Sequence, residues 1–165
     1  MTAISTAFRD RLASIERRLR RIESVSVTST PIEWEPILTA SSDPDLGTGY
    51  SVWGACLVLP GMCQFWGNIT FGSTPTAGSG VYAITGLPVV PLAGRGSYLS
   101  GVGRLSDASA PGVLSAWVLV DDTPAIKFRY PAAAPSGTDT QVSASAPWTW
   151  AEGDRLEFEG AYPIG

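Results

Sequence analysis

The sequence predicts a mainly β protein with one helix at its N-terminus, and three observations carry that expectation. Apolar residues recur at a coiled-coil spacing between Phe8 and Ile22. Beyond Ser24 no helical period returns, and short alternating or continuous apolar runs take its place. Those runs are punctuated by turns drawing on 18 glycines and 13 prolines, which also blunt sheet edges. The expected class is an N-terminal α-helix forming a parallel trimeric coiled coil, followed by an antiparallel β-sandwich or jelly roll. The boundaries follow the composition: a stalk over residues 1–25, a joint over 26–31 and a β-sandwich domain over 32–165.

The helix comes first. Phe8, Leu12, Ile15, Leu19 and Ile22 are separated by four, three, four and three residues, the 3.5-residue average of a coiled-coil seam. With Leu12 and Leu19 at a and Phe8, Ile15 and Ile22 at d, Arg11 and Arg18 fall at g, while Glu16 and Glu23 fall at e. In a parallel bundle Arg11 then faces Glu16 of a neighbouring copy, and Arg18 faces Glu23. Leu at a with Ile at d moves the preference from dimers towards trimers or tetramers. Two tandem segments, Arg11-Leu12-Ala13-Ser14-Ile15-Glu16 and Arg18-Leu19-Arg20-Arg21-Ile22-Glu23, resemble the Arg-apolar-x-x-apolar-Glu pattern of short trimeric coiled coils. The remaining faces carry Arg9, Arg17, Arg20 and Arg21, so the apolar stripe is narrow for a helix lying on its own globular body. A helix of about 20 residues is marginal alone in water, so the reading is a homotrimer.

The joint changes composition at once, Ser, Thr and Val replacing Arg and Leu, and Pro31 ends any helix before it. A first strand is expected within Pro31–Thr39. Tyr50–Leu59 and Met62–Phe71 read as a hairpin around Pro60-Gly61, the signature of a type II turn. That turn places Cys63 across from Val58 and Cys56 across from Phe65, with the two thiols diagonal on one face. A backbone separation of about 7–8 Å is too long for an unstrained bridge, which predicts buried free thiols. Val81–Thr85, Ser97–Leu105, Gly112–Asp121, Ala125–Tyr130, Thr140–Ala144 and Arg155–Ala161 follow as strands. Ser41–Gly49, Gly72–Gly80 and Gly86–Gly96 are expected loops, and Gly94-Arg95-Gly96 reads as a turn.

Charge and composition exclude whole classes of function. Residues 1–24 hold six arginines against Asp10, Glu16 and Glu23, a net of +3. Residues 25–165 hold five basic and twelve acidic side chains, a net of −7, a poor partner for a phosphate backbone. No nucleic acid is expected as a ligand. No apolar run precedes Arg9 and none later is long enough to span a bilayer, so neither a signal peptide nor a membrane partner is expected. The chain has no histidine, which removes the commonest general base and every Ser-His or Cys-His nucleophile. Two cysteines without histidine make a zinc site a poor expectation, and no metal or other cofactor is expected.

Three segments carry a family resemblance. The first opens on Trp34-Glu35-Pro36. The second runs from Phe71-Gly72 to Gly78-Ser79-Gly80 with Tyr82. The third spans Trp150, Gly153-Asp154, Leu156, Gly160 and Tyr162. Together they resemble small structural proteins of tailed phages that infect Actinobacteria, over most of the β body. The resemblance implies a non-enzymatic virion component made in the bacterial host cytoplasm: a head decoration, a tail fibre or a receptor-binding tip. Its implied partners are other virion proteins, capsid or tail, with a host-surface glycan as the ligand in the tip reading.

Few residues invite chemistry. Glu157 and Glu159 lie two apart and share a face; paired carboxylates can hydrolyse glycosides, but the simpler reading is the solvent face of an edge strand with Leu156 and Phe158 inward. Asp43 and Asp45 read as loop-capping aspartates rather than calcium ligands. No catalytic residue is assigned. Among the six tryptophans, Trp117 is expected in the core, and Trp34, Trp53 and Trp66 in core or subunit interface. Trp148 and Trp150 flank Thr149 and are expected on one face, in core or interface, or as a glycan-stacking pair.

Overall fold

In a computed structural model the described residues are 14–16, 30–94, 96, 98–121, 123–131 and 139–165. The chain divides into two units at Thr30/Pro31. Of the first, Ser14–Glu16 is helical and solvent-exposed. The proposed seam residues Phe8, Arg11, Leu12, Arg18, Leu19, Ile22 and Glu23 lie outside the described residues.

The second unit is built from ten strands: β1 (Ile32–Trp34), β2 (Ile37–Thr39), β3 (Ser51–Leu59), β4 (Met62–Thr70), β5 (Ala83–Thr85), β6 (Tyr98–Ser106), β7 (Val113–Val120), β8 (Ile126–Pro131), β9 (Asp139–Gln141) and β10 (Arg155–Pro163). Every pairing is antiparallel, and the strands join in one path, β1-β3-β4-β10-β6-β7-β8-β5-β2, with β9 added beside β8. The two ends of that path, β1 and β2, are separated in the chain by Glu35 and Pro36 alone. The sheet must therefore curl until its first and last strands come together, and the curl encloses one core.

The expected first strand, Pro31–Thr39, is thus two. Pro36 is the cause: it lacks an amide proton and cannot continue a ladder. Ile32–Trp34 pairs with Cys56–Gly54, whereas Ile37–Thr39 pairs with Thr85–Ala83 across the seam. The hairpin forms in the register the turn dictates, with Cys56 opposite Phe65 and Val58 opposite Cys63. Gly61 adopts φ +74°, the conformation a type II turn needs at its third position. Both thiols are fully buried and free. Burial first, and then the neighbouring Cys63 thiol, push Cys56 up to about 11.

The last strand corrects an expectation. Arg155–Pro163 is not an edge: it pairs with β4 along its full length and with β6 from Arg155 to Gly160. The Leu156 and Phe158 side chains do point inward, at 0 and 4% exposure. Phe158 sits at the centre of an aromatic cluster, its ring 6.3 Å from Trp34, 6.3 Å from Phe65 and 6.0 Å from Phe128. Both of its cross-strand neighbours are glycines, Gly67 and Gly103, and Gly67 leaves the room for its ring. A Cβ on Gly67 would stand 2.7 Å from the Phe158 ring, so this position holds no larger residue without displacing that ring.

Loops close both ends of the core. Ser42, Asp45 and Thr48 exchange backbone hydrogen bonds with Ser79, Thr76 and Ser73, tying loop 41–49 to loop 72–80. Asp43 accepts from the Ala40 amide and Asp45 from the Gly47 amide, so both act as the capping aspartates the sequence indicates. The Tyr82 hydroxyl donates to Ala77 O at 2.7 Å and Tyr162 to Val89 O at 2.8 Å.

Candidate binding face

Alternation along the central strands sends every second side chain out of the core. Register then sorts those outward residues into rows. One row reads Trp53 (β3), Asn68 (β4), Glu157 (β10), Arg104 (β6), Ser115 (β7). The next starts from Ala55, itself buried, and reads Trp66, Glu159, Val102, Trp117, reaching Arg129 on β8. Two adjoining depressions of about 340 and 460 Å³ run over this face, sharing Trp66, Val102 and Glu159.

The face is apolar where solvent would be expected to favour polar groups. Trp53 is 44% exposed, Trp117 42% and Val102 53%, while Trp66 is half-buried. Trp117 therefore contradicts the core placement expected for it. Its run, Val113 to Val120, is apolar but for Ser115, yet only Ala116, Val118 and Val120 are buried. The strand has a wet face that carries apolar residues, and composition alone cannot reveal that. Glu157 lies 3.6 Å from Arg104, a partly solvated ion pair.

The other tryptophans are structural. Trp150 is 3% exposed, stacked on Phe71 at 5.1 Å and packed against Tyr82 and Trp148, with its Nε1 donating to Ser143 O. Trp148 is part-buried beside it. The pair lies together as expected, yet with Trp150 inside the core it offers no exposed platform for a sugar. Trp34 packs against the core with its Nε1 buried and unpaired.

Asp154 went unassigned from sequence beyond its place in the Gly153-Asp154 motif. It is the buried charged residue among the described ones. Its carboxylate accepts from the Ala108 amide at 2.8 Å, the Ala151 amide at 2.8 Å and Trp148 Nε1 at 3.2 Å. This one side chain pins the β6–β7 loop and the Trp148–Ala151 segment onto the start of β10. Charge-assisted bonds of this kind are what a buried carboxylate requires.

No protein-family model matches the chain, and no curated protein or solved structure matches it. Among the described residues no group of three or more acidic or cysteine side chains could hold a metal ion, and no helix is long and apolar enough to cross a membrane.

Proposed function

We propose that this protein is a non-enzymatic structural component of a bacteriophage particle, a homotrimeric capsid decoration or short fibre. Its N-terminal coiled coil sets the stoichiometry and its sandwich-like β bodies are presented outward. It works by binding and assembly without turnover. The structural observation that carries the reading is the outer sheet face: Trp53, Trp66, Trp117 and Val102 meet solvent on a rigid antiparallel scaffold, and an exposed apolar face of that kind marks an interaction surface. The heptad spacing of Phe8, Leu12, Ile15, Leu19 and Ile22 supports three copies, and the three motif segments support a virion origin.

The same face favours a second reading, a tail-tip protein or lectin-like module that recognises host-surface glycans. Three copies on one stalk would then gain avidity from weak single sites. Light scattering tests the assembly that both readings share. The full chain is expected at three times its 17.3 kDa mass, and a chain starting at Val27 at a lower or concentration-dependent mass. A full-length protein that stays at the mass of one chain at all concentrations rules out the trimer.

A further inference from the structure

We infer that the outer face of the β3-β4-β10-β6-β7 sheet is a binding groove for a neutral, hydroxyl-rich oligosaccharide, with Trp53, Trp66 and Trp117 as the stacking rings. This deepens the glycan reading of the β bodies, and it moves the site from Trp148 and the core residue Trp150 to the outward-facing rows of the sheet.

The pattern of groups along the rows is what selects the ligand. Trp66, Glu159, Val102 and Trp117 occupy consecutive strands, so the two rings are separated by three strand spacings, about 14 Å. Trp53 lies diagonally from Trp66, about 7–8 Å away at the backbone. Between the rings stand hydrogen-bonding groups: Asn68, the Glu157–Arg104 pair and Glu159. A pyranose offers the same alternation, with C–H faces that lie on an aromatic ring and an equatorial belt of hydroxyls that donate to carboxylates and accept from guanidinium or amide. The adjoining depressions over Trp66, Val102 and Glu159 make the site longer than one sugar.

Charge argues against the rival occupants. At the centre of the face two carboxylates, Glu157 and Glu159, project from one strand. Protein interfaces deplete charge at their centre. A second copy laid on this face would bury those carboxylates against an equally acidic body, whose residues 25–165 carry a net of −7. An anionic polymer meets the same repulsion. A neutral glycan does not, because hydroxyls hydrogen-bond carboxylates without asking either partner to lose its charge.

The test uses the full-length protein, tryptophan fluorescence and calorimetric titration against neutral gluco-, galacto- and manno-oligosaccharides of four to six units, with oligogalacturonate as the anionic comparison. Saturable binding to at least one neutral oligosaccharide is expected, with roughly tenfold loss in Trp66→Ala and in Trp53→Ala. Glu159→Gln, which keeps the shape and an acceptor oxygen, should lose less, and circular dichroism checks that each variant folds. Absence of saturable binding to all three neutral series overturns the inference, as does binding of oligogalacturonate alone. Binding that survives both tryptophan substitutions places the site elsewhere and overturns it too. If Trp117→Ser lowers the mass in light scattering, a second copy covers the face and the inference falls. An unsubstituted protein that is trimeric but binds no neutral glycan sinks only this site, whereas an unsubstituted monomer that still binds glycan sinks only the trimer.

Discussion

The two faces of the central strands are made from alternating residues of the same segments, yet they obey different rules. Inside, several rings sit against glycines: Phe158 lies over Gly67, Phe128 beside Gly103 and Phe65 beside Gly160, and Phe65 and Tyr162 pack at 5.5 Å. Outside, Trp53, Trp66 and Trp117 are as bulky and as apolar, but they share their rows with Asn68, Glu159 and Arg104 rather than with glycines. Hydrophobicity alone therefore does not locate the core of this molecule. Fit to the neighbours adds what hydrophobicity lacks: Phe158 is buried where both of its cross-strand neighbours are glycines. Apolar groups outside are left with unsatisfied contact surface, and that surface is what a partner can use.

The sharpest way to break this comparison is to truncate one ring from each face. Phe158→Ala removes a side chain packed on three others and leaves a cavity that the curled sheet can close only in part. The expected cost is about 3–5 kcal/mol in urea unfolding. Trp117→Ala deletes a larger side chain from a half-exposed position and should cost about 1 kcal/mol or less. Equal losses would mean that the outer tryptophan is part of the folding core after all, and the distinction between the faces would be gone.

That contrast also explains what could be read from the sequence. The hairpin register was legible because Pro60-Gly61 fixes the turn, and a turn fixes every pairing behind it. The thiol placement followed from the same few residues. Strand positions emerged from apolar runs and Gly/Pro turns, down to short β5 and β9. The facing of Trp117 was hidden because its strand is apolar on both sides apart from Ser115, so period-two alternation leaves only one polar mark. The central position of β10 was hidden too, since its neighbours β4 and β6 pair with it from about 90 and 50 residues away. The binding face depends on those pairings: Trp66 meets Glu159 only after β4 and β10 are laid together. Asp154 illustrates a third limit. Its motif was visible, but its purpose, three hydrogen bonds from two separate segments, exists only in the fold.

A second prediction sharpens the comparison through pH, because the inner face buries thiols and phenols that titrate at high pH. Cys56 ordinarily titrates at 9.0 and is held up to about 11, chiefly by burial and next by the adjacent Cys63. Burial likewise pushes Tyr82 from 10.0 up to about 12, and Tyr162 is driven upward by burial and by Cys63. Each group is neutral when protonated, and its native pKa lies above the unfolded one. The unfolded chain therefore releases its proton first, and the unfolded state is favoured as pH rises. The Cys56 contribution is fully present below about pH 9 and is lost as pH rises to about 11, on the order of 1–2 kcal/mol. Unfolding midpoints measured from pH 8 to 11 should fall steadily. Cys56→Ala should flatten the first part of that fall, and Tyr82→Phe the part above about pH 10. A midpoint independent of pH up to 11 would show that these groups are hydrated in the native state.

The smallest effect is expected from the outer face, and it separates the two faces most cleanly. Arg104 and Glu157 approach to 3.6 Å with side chains 62 and 37% exposed. An ion pair so solvated gains little Coulomb energy beyond what water already supplies, and it gives up side-chain freedom to hold its geometry. Arg104→Ala should change the unfolding free energy by less than about 1 kcal/mol, and added salt should shrink even that difference. The neighbouring inward position tells the opposite story, since a Cβ on Gly103 would press to 3.2 Å on the buried Phe128 ring. Adjacent residues of one strand thus differ in kind: one is held by the fold, and the other is free to serve recognition. A cost of several kcal/mol for Arg104→Ala would put that guanidinium among the elements that hold the sheet together, and the outer face would lose its claim to be spare for a ligand.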